Sequence, residues 1–245
     1  MSSNEIERFL DVAVRRGLYG NRRALRNHTS YIFGGVDRFD RCLDIGGGEG
    51  LLSFYLAARG GGEVICLEPE ADGATAAITA QFAAVAADMG YSDRVSLRHE
   101  FFQDFDPAGR RFDLIVSANA INHLDEDACM ALGKDPAARA RYQALFVRLY
   151  ELLEPGGWLI LSDCTRHNLF PLLGLTNPLM PTIEWHKHQS PYVWRELGRS
   201  AGFAEARIQW SSLNRLGRLG RLLMGNAVVN HLTLSHFRLA MRRPR

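Results

Sequence analysis

The stretch Cys42–Leu43–Asp44–Ile45–Gly46–Gly47–Gly48–Glu49–Gly50 decides the fold. A short apolar run carrying one carboxylate stops at three glycines. From Leu51 an apolar helical pattern begins, with Leu52, Phe54, Tyr55 and Leu56. The reading is strand, bend, helix. Glycine lets such a bend take positive φ and lets a ligand approach the main chain without meeting a Cβ. The helix that follows turns its unpaired N–H groups toward whatever the bend holds.

Glycine-rich bends serve several cofactors, and the details discriminate. Gly46, Gly48 and Gly50 fit G-x-G-x-G, whereas a dinucleotide fingerprint needs a glycine where Leu51 stands. A phosphate-gripping loop needs a Lys–Ser/Thr pair, and none follows. Asp44 would repel a pyrophosphate but pair with an ammonium or sulfonium group. A second apolar strand, Val64–Ile65–Cys66–Leu67, ends at Glu68 and Pro69, where such folds accept hydrogen bonds from ribose hydroxyls. A cationic nucleoside without phosphates satisfies both carboxylates.

With these blocks, and with Phe112–Ser117 and Leu153–Ile160 in the same order, the chain resembles class I S-adenosylmethionine-dependent methyltransferases. The resemblance covers roughly residues 38–165. It implies an α/β fold, a Rossmann-like doubly wound, mostly parallel seven-stranded sheet with an antiparallel C-terminal strand. It also implies S-adenosyl-L-methionine as cofactor, S-adenosyl-L-homocysteine as product, and a small-molecule acceptor. Asp44, Gly46, Gly48, Gly50, Glu68 and Pro69 are then expected to bind the cofactor, together with Asn119 and Tyr31. The family usually places a carboxylate after the third strand, near the adenine; here Phe101 stands there and Asp104 follows. Either Asp104 reaches back, or Phe101 and Phe102 pack on the adenine; the second is preferred.

Length and composition agree with one domain. The 245 residues are 47% hydrophobic and 23% charged, with a net charge of +2, ordinary globular values that do not imply nucleic acid. Cys42, Cys66, Cys129 and Cys164 show no C-x-x-C spacing and read as core residues of a reducing, cytoplasmic compartment. The N-terminus lacks a signal-peptide pattern, and no apolar run is long enough to span a membrane. A monomer or a homodimer is expected.

Along the chain, 1–37 reads as an N-terminal helical cap, with a helix over 3–17 and Arg22, Arg23, Arg26, His28, Tyr31 and Phe33 ahead of the first strand. The core of 38–165 alternates helices over 49–59, 71–89 and 138–153 with strands over 63–68, 94–99, 114–117 and 158–162. Residues 165–190 are apolar yet proline-broken, the texture of a substrate lid or contact surface. A helix over 191–201, a strand over 204–211 and a final antiparallel strand over 233–241 complete the pattern. Within the insertion 213–230, Arg215, Arg218 and Arg221 alternate with Leu216, Leu219, Leu222 and Leu223. That stretch could meet a membrane surface or an anionic substrate; a solvated helix covering the core is preferred.

Transfer of a methyl from sulfonium demands alignment of an acceptor lone pair, with aromatic rings such as Tyr31, Phe33 or Trp185 facing the cation. A hydroxyl acceptor also needs a base, and histidine suits that role. His123, after the fourth strand, is the first choice; His186 and His188, in Glu184–Trp185–His186–Lys187–His188–Gln189, are the others. Catechol-type relatives chelate magnesium through acids after the fourth and fifth strands. Here Asp163 is present, but Asn119 and Asn122 end the fourth, so metal-independent transfer to oxygen is expected. The alternatives are N-methylation and a non-catalytic cofactor-binding partner.

Overall fold

The computed structural model describes residues 3–36, 38–70, 75–213 and 217–245, with Ser3 and Arg218 as backbone only. Two helices, α1 (Ser3–Arg15) and α2 (Arg22–Ile32), precede the first strand, β1 (Arg41–Ile45). Asn21 starts α2 by accepting the Ala24 amide, as a good N-cap does. Then follow α3 (Leu51–Ala58), β2 (Glu63–Leu67), α4 (Thr75–Met89), β3 (Val95–Arg98) and β4 (Phe112–Ala118). A 3-10 turn (Ile121–Asp125) leads into α5 (Glu126–Ala131), α6 (Pro136–Leu152) and β5 (Leu153–Cys164). Asp135 and Pro136 start α6 as cap and first residue, the arrangement proline tolerates. The remaining elements are α7 (Leu169–Leu172), α8 (Pro191–Ser200), β6 (Ala204–Trp210), α9 (Gly217–Met224), α10 (Ala227–Leu232) and β7 (His236–Arg242).

The sheet runs β3-β2-β1-β4-β5-β7-β6. Five strands pair in parallel, and β7 enters antiparallel between β5 and β6. The expected architecture is therefore the one observed. Strand residues alternate between two cores. Cys42, Val64, Leu114 and Val116 face α1 to α4, while Leu43, Ile65, Ile115 and Leu161 face α5, α6 and α8. All four cysteines are buried free thiols. The N-terminal segment covers the sheet: Phe33, read as an aromatic for the cofactor, is instead stacked on Tyr55 at 5.2 Å inside the first core. Its aromatic surface is worth more in that core than at a solvated mouth.

Three features depart from the sequence expectation. The proline-broken segment 165–190 contains one helical turn, α7, and a 3-10 turn at Trp185–Lys187. The insertion before β7 holds two helices where one basic stretch was expected, and α9 turns Leu219, Leu222 and Leu223 outward rather than onto the core. Arg215, Leu216 and the expected start of the 71–89 helix lie outside the described residues. Finally, the two insertions are a single unit. Asn168 Nδ2 donates to Thr233 O (3.0 Å) and Ser235 Oγ (2.8 Å), and Asn177 Nδ2 donates to Thr233 O (2.6 Å). These amides are fully buried, where an unmade hydrogen bond is costly.

Arg238 of β7 locks α2 to the antiparallel edge. Its guanidinium, nearly inaccessible, donates to Ile32 O (2.6 Å), Gly34 O (2.9 Å) and Gln209 Oε1 (2.6 Å). Arg238→Leu would strand two carbonyls and is expected to cost about 2–4 kcal/mol. Urea unfolding of wild type and variant measures this, and a loss below about 0.5 kcal/mol would remove the lock from the account.

Candidate active site

In an open parallel sheet the ligand crevice lies at the strands' carboxyl ends, where connections leave in opposite directions. Here that point is between β1 and β4, since β1 continues to β2 on one side and borders β4 on the other. A larger cavity, about 490 Å³, lies among Asp113, Gly156 and Arg242 at the opposite, amino-terminal edge, the wrong end for such a site.

The crevice at the switch point holds a cavity of about 320 Å³ walled by Gly46, Glu68, Pro69, Phe101, Asn119 and His123. Gly46 donates its amide to Leu67 O at 2.8 Å, which bends the chain off the sheet. Gly48 has φ +54, a backbone conformation glycine adopts freely, and a Cβ there would point into open space. Gly48 N also donates to Glu68 Oε2 at 2.8 Å, drawing the second carboxylate beside the bend. Gly47 has no room for a side chain: its Cβ would stand 2.8 Å from Asp44 Oδ2.

Asp44 is accordingly beneath the bend, not on its surface. Its carboxylate points toward α3, fully buried, and accepts the Ser53 hydroxyl at 2.7 Å. Burial pushes its carboxyl up to about 6, opposed by the Ser53 hydrogen bond and reinforced by Glu68. Gly50, expected at the cofactor, instead backs onto Phe54 and Phe82 and lets α3 pack closely. Phe101 is exposed along the crevice wall, and Phe102, which also lines the cavity, is buried beneath the Arg148 guanidinium.

The histidines are distributed differently from expectation. His123 borders the same cavity as Glu68 and Phe101, half exposed and 3.1 Å from Glu126. His186 is exposed, its carbonyl taken by Arg166, and lines none of the cavities described here. His188 is buried, its Nδ1 3.0 Å from Asp163 Oδ1 at the tip of β5, and so ties the end of the 165–190 segment to the sheet. Tyr31 is not on the crevice: its hydroxyl donates to Gln209 O, and it faces a second cavity of about 320 Å³. Among the described residues, no three His, Cys, Asp or Glu side chains come together as a metal would need.

That second cavity also takes Tyr19, His28, Ser211, Ser212 and His236. His236 Nε2 donates to Asn119 Oδ1 at 3.1 Å, so one hydrogen bond joins the second cavity to the crevice. Burial holds both imidazoles neutral, lowering His28 to about 4 and His236 to about 4. Neither was singled out as a base from sequence. His236 sits in no motif, at the start of the interior strand β7, far along the chain from Asn119.

A family model described as a methyltransferase domain matches residues 16–207. The chain belongs to the methyltransferase-domain family. No curated protein matches it at a significant level. Among solved structures, the S-adenosylmethionine-dependent methyltransferase SibL in its apo form is 19% identical with a TM-score of 0.54, covering 90% of this chain and 55% of that one. Haemonchus contortus phosphoethanolamine N-methyltransferase 2, in complex with phosphomonomethylethanolamine and S-adenosylhomocysteine, is 16% identical with a TM-score of 0.57, covering 97% and 60%. The glycopeptide N-methyltransferase MtfA, complexed with S-adenosylhomocysteine, is 20% identical with a TM-score of 0.54, covering 91% and 89%. This methyltransferase-domain chain thus spans little more than half the length of the first two, and shares with all three the class I fold.

The buried Asp44 yields a pH prediction. Between its unfolded value near 3.8 and its folded value of about 6, the folded chain holds a proton that the unfolded chain has lost. Its contribution to stability therefore falls as pH rises through that window. Relative to wild type, Asp44→Asn is expected to be near neutral at pH 4 and stabilising by about 1–3 kcal/mol at pH 7. Urea titrations across that range check the slope; a difference independent of pH would refute it.

Proposed function

We propose that the chain binds S-adenosylmethionine in the crevice and moves its methyl group to an oxygen of a small, uncharged acceptor in the second cavity. The observation that carries this reading is the Asn119–His236 hydrogen bond, which puts a neutral imidazole at the junction of the two chambers. Glu68 is the residue to accept from ribose hydroxyls, the bare Gly46–Gly48 main chain to lie along the nucleoside, and Phe101 to wall the adenine. Asp44 answers a positive charge from below the bend. Such a cofactor supplies an electrophilic methyl on a good leaving group, so the chain's task is alignment and exclusion of water, worth roughly 7–11 kcal/mol.

A hydroxyl acceptor must lose its proton as it attacks. Because His236 Nε2 donates to Asn119, Nδ1 is the nitrogen that accepts. Among the described residues, the second cavity's walls, including Tyr19, Tyr31, Ser211 and Ser212, bring no carboxylate. A protonated amine would touch no carboxylate on those walls, the Asp163 carboxylate that acts on His236 being fully buried, while a hydroxylated aromatic would find rings and hydroxyl partners. The reading needs no metal, and turnover is expected to survive a chelator.

Calorimetry with S-adenosylmethionine and S-adenosylhomocysteine tests the cofactor, and mass spectrometry across hydroxylated and amine acceptors tests the transfer. Cofactor affinity is expected to fall as pH drops below about 6, because protonation of Asp44 removes the answering charge. His236→Gln is expected to lower kcat about 100-fold while cofactor affinity stays within about threefold. In the wild type, kcat/KM should stay level through neutral pH and fall only toward the His236 value of about 4. Methylation confined to amines would replace oxygen with nitrogen as the acceptor, and undiminished turnover in His236→Gln would remove it as the base.

A further inference from the structure

The helix α9 presents the wrong residues to water. Leu219, Leu222 and Leu223 lie on one face at helical spacing and are 60%, 80% and 60% exposed. Val228 and Leu232 of α10 continue the exposed surface, and α10 packs against α7. From the lid, Leu172, Leu173 and Leu175 are exposed as well. The Asn168, Asn177 and Thr233 network holds the two segments together, and Asn230 Nδ2 donates to Met224 O at the end of α9, so these aliphatics are carried on one hydrogen-bonded frame. Isolated exposed leucines need no explanation, but a cluster this size marks an interaction site.

The charge pattern identifies the occupant. In a chain with 27 acidic residues, neither 165–183 nor 211–235 contains a single Asp or Glu. The same segments carry Arg166, Arg215, Arg218 and Arg221. Outward leucines on segments that carry arginine and no Asp or Glu in their sequence are complementary to apolar chains beneath anionic headgroups. A protein partner or a second copy would ordinarily be matched by mixed charge at the rim. Among the described residues no helix is long and apolar enough to cross a membrane, so the contact is peripheral. We propose that α9, α10 and the 169–175 turn form a docking surface for an anionic lipid bilayer. Leu179 and Leu213, also exposed, line the second cavity and belong to the same two acid-free segments as the docking surface.

Co-sedimentation of the full chain with phosphatidylcholine vesicles, with and without phosphatidylglycerol, tests this. Binding is expected to the anionic vesicles, weakening as salt rises. The double variants Leu222→Ser/Leu223→Ser and Leu172→Ser/Leu173→Ser should each lower partitioning about tenfold or more, with unchanged melting temperature because these side chains are already in water. Arg221→Glu should weaken binding only to the anionic vesicles. Three results would overturn the proposal: protein left in the supernatant with anionic vesicles, equal binding to neutral vesicles, or serine variants that bind as wild type. A dimer in sedimentation velocity that Leu222→Ser/Leu223→Ser converts to monomer would likewise assign the surface to a second copy.

Discussion

A peptide turn without side chains, laid over a buried carboxylate, is the constraint on which this molecule depends. Gly47 leaves Asp44 just enough room, and the position a Gly48 Cβ would take is open space. Burying a lone carboxylate is expensive, and the Ser53 hydroxyl compensates it only in part. The remaining cost is the kind that a positive ligand relieves. Glu68, tethered by the Gly48 amide, gives the same crevice a second negative group in contact with solvent. Two carboxylates thus adjoin one main-chain turn, Asp44 buried against α3 and Glu68 held at the crevice by the Gly48 amide.

The second cavity is made by pieces distant in sequence. Arg238 holds the end of α2 against β6 and β7, which puts Tyr31 and His28 opposite His236. The amide network around Asn168 then fixes the 165–190 segment to the residues before β7. Each tie is a buried hydrogen-bonded group whose partner could not be removed cheaply. The cavity's polarity follows from this construction, because its histidines are held by apolar packing and stay neutral.

The histidines differ in their surroundings more than in their chemistry. His123 is paired with Glu126 beside solvent, His188 is committed to Asp163, and His186 is exposed. His236 alone among these couples the crevice to the second cavity through Asn119. Asn119 itself has φ +56, a left-handed conformation that asparagine tolerates better than most residues. Its amide donates to Ser162 O at 2.7 Å, which steers its side chain off the end of β4.

The chain's own order of residues was enough to determine the strand–bend–helix at Cys42–Leu56, the acid at Glu68, the parallel core and the antiparallel final strand. These depend on local periodicity and on glycine's backbone freedom, which neighbouring residues display directly. It also marked 165–190 as irregular, because proline forbids regular pairing wherever the chain meets it. Only tertiary structure decided that Asp44 faces α3, that Gly50 and Phe33 serve packing, and that Tyr31 lies in a different cavity from Glu68. It alone brought His236 to Asn119 and turned the α9 leucines outward. Those outcomes follow from which long-range surfaces meet, and a sequence pattern records a residue's near neighbours but not the face it will be pressed against.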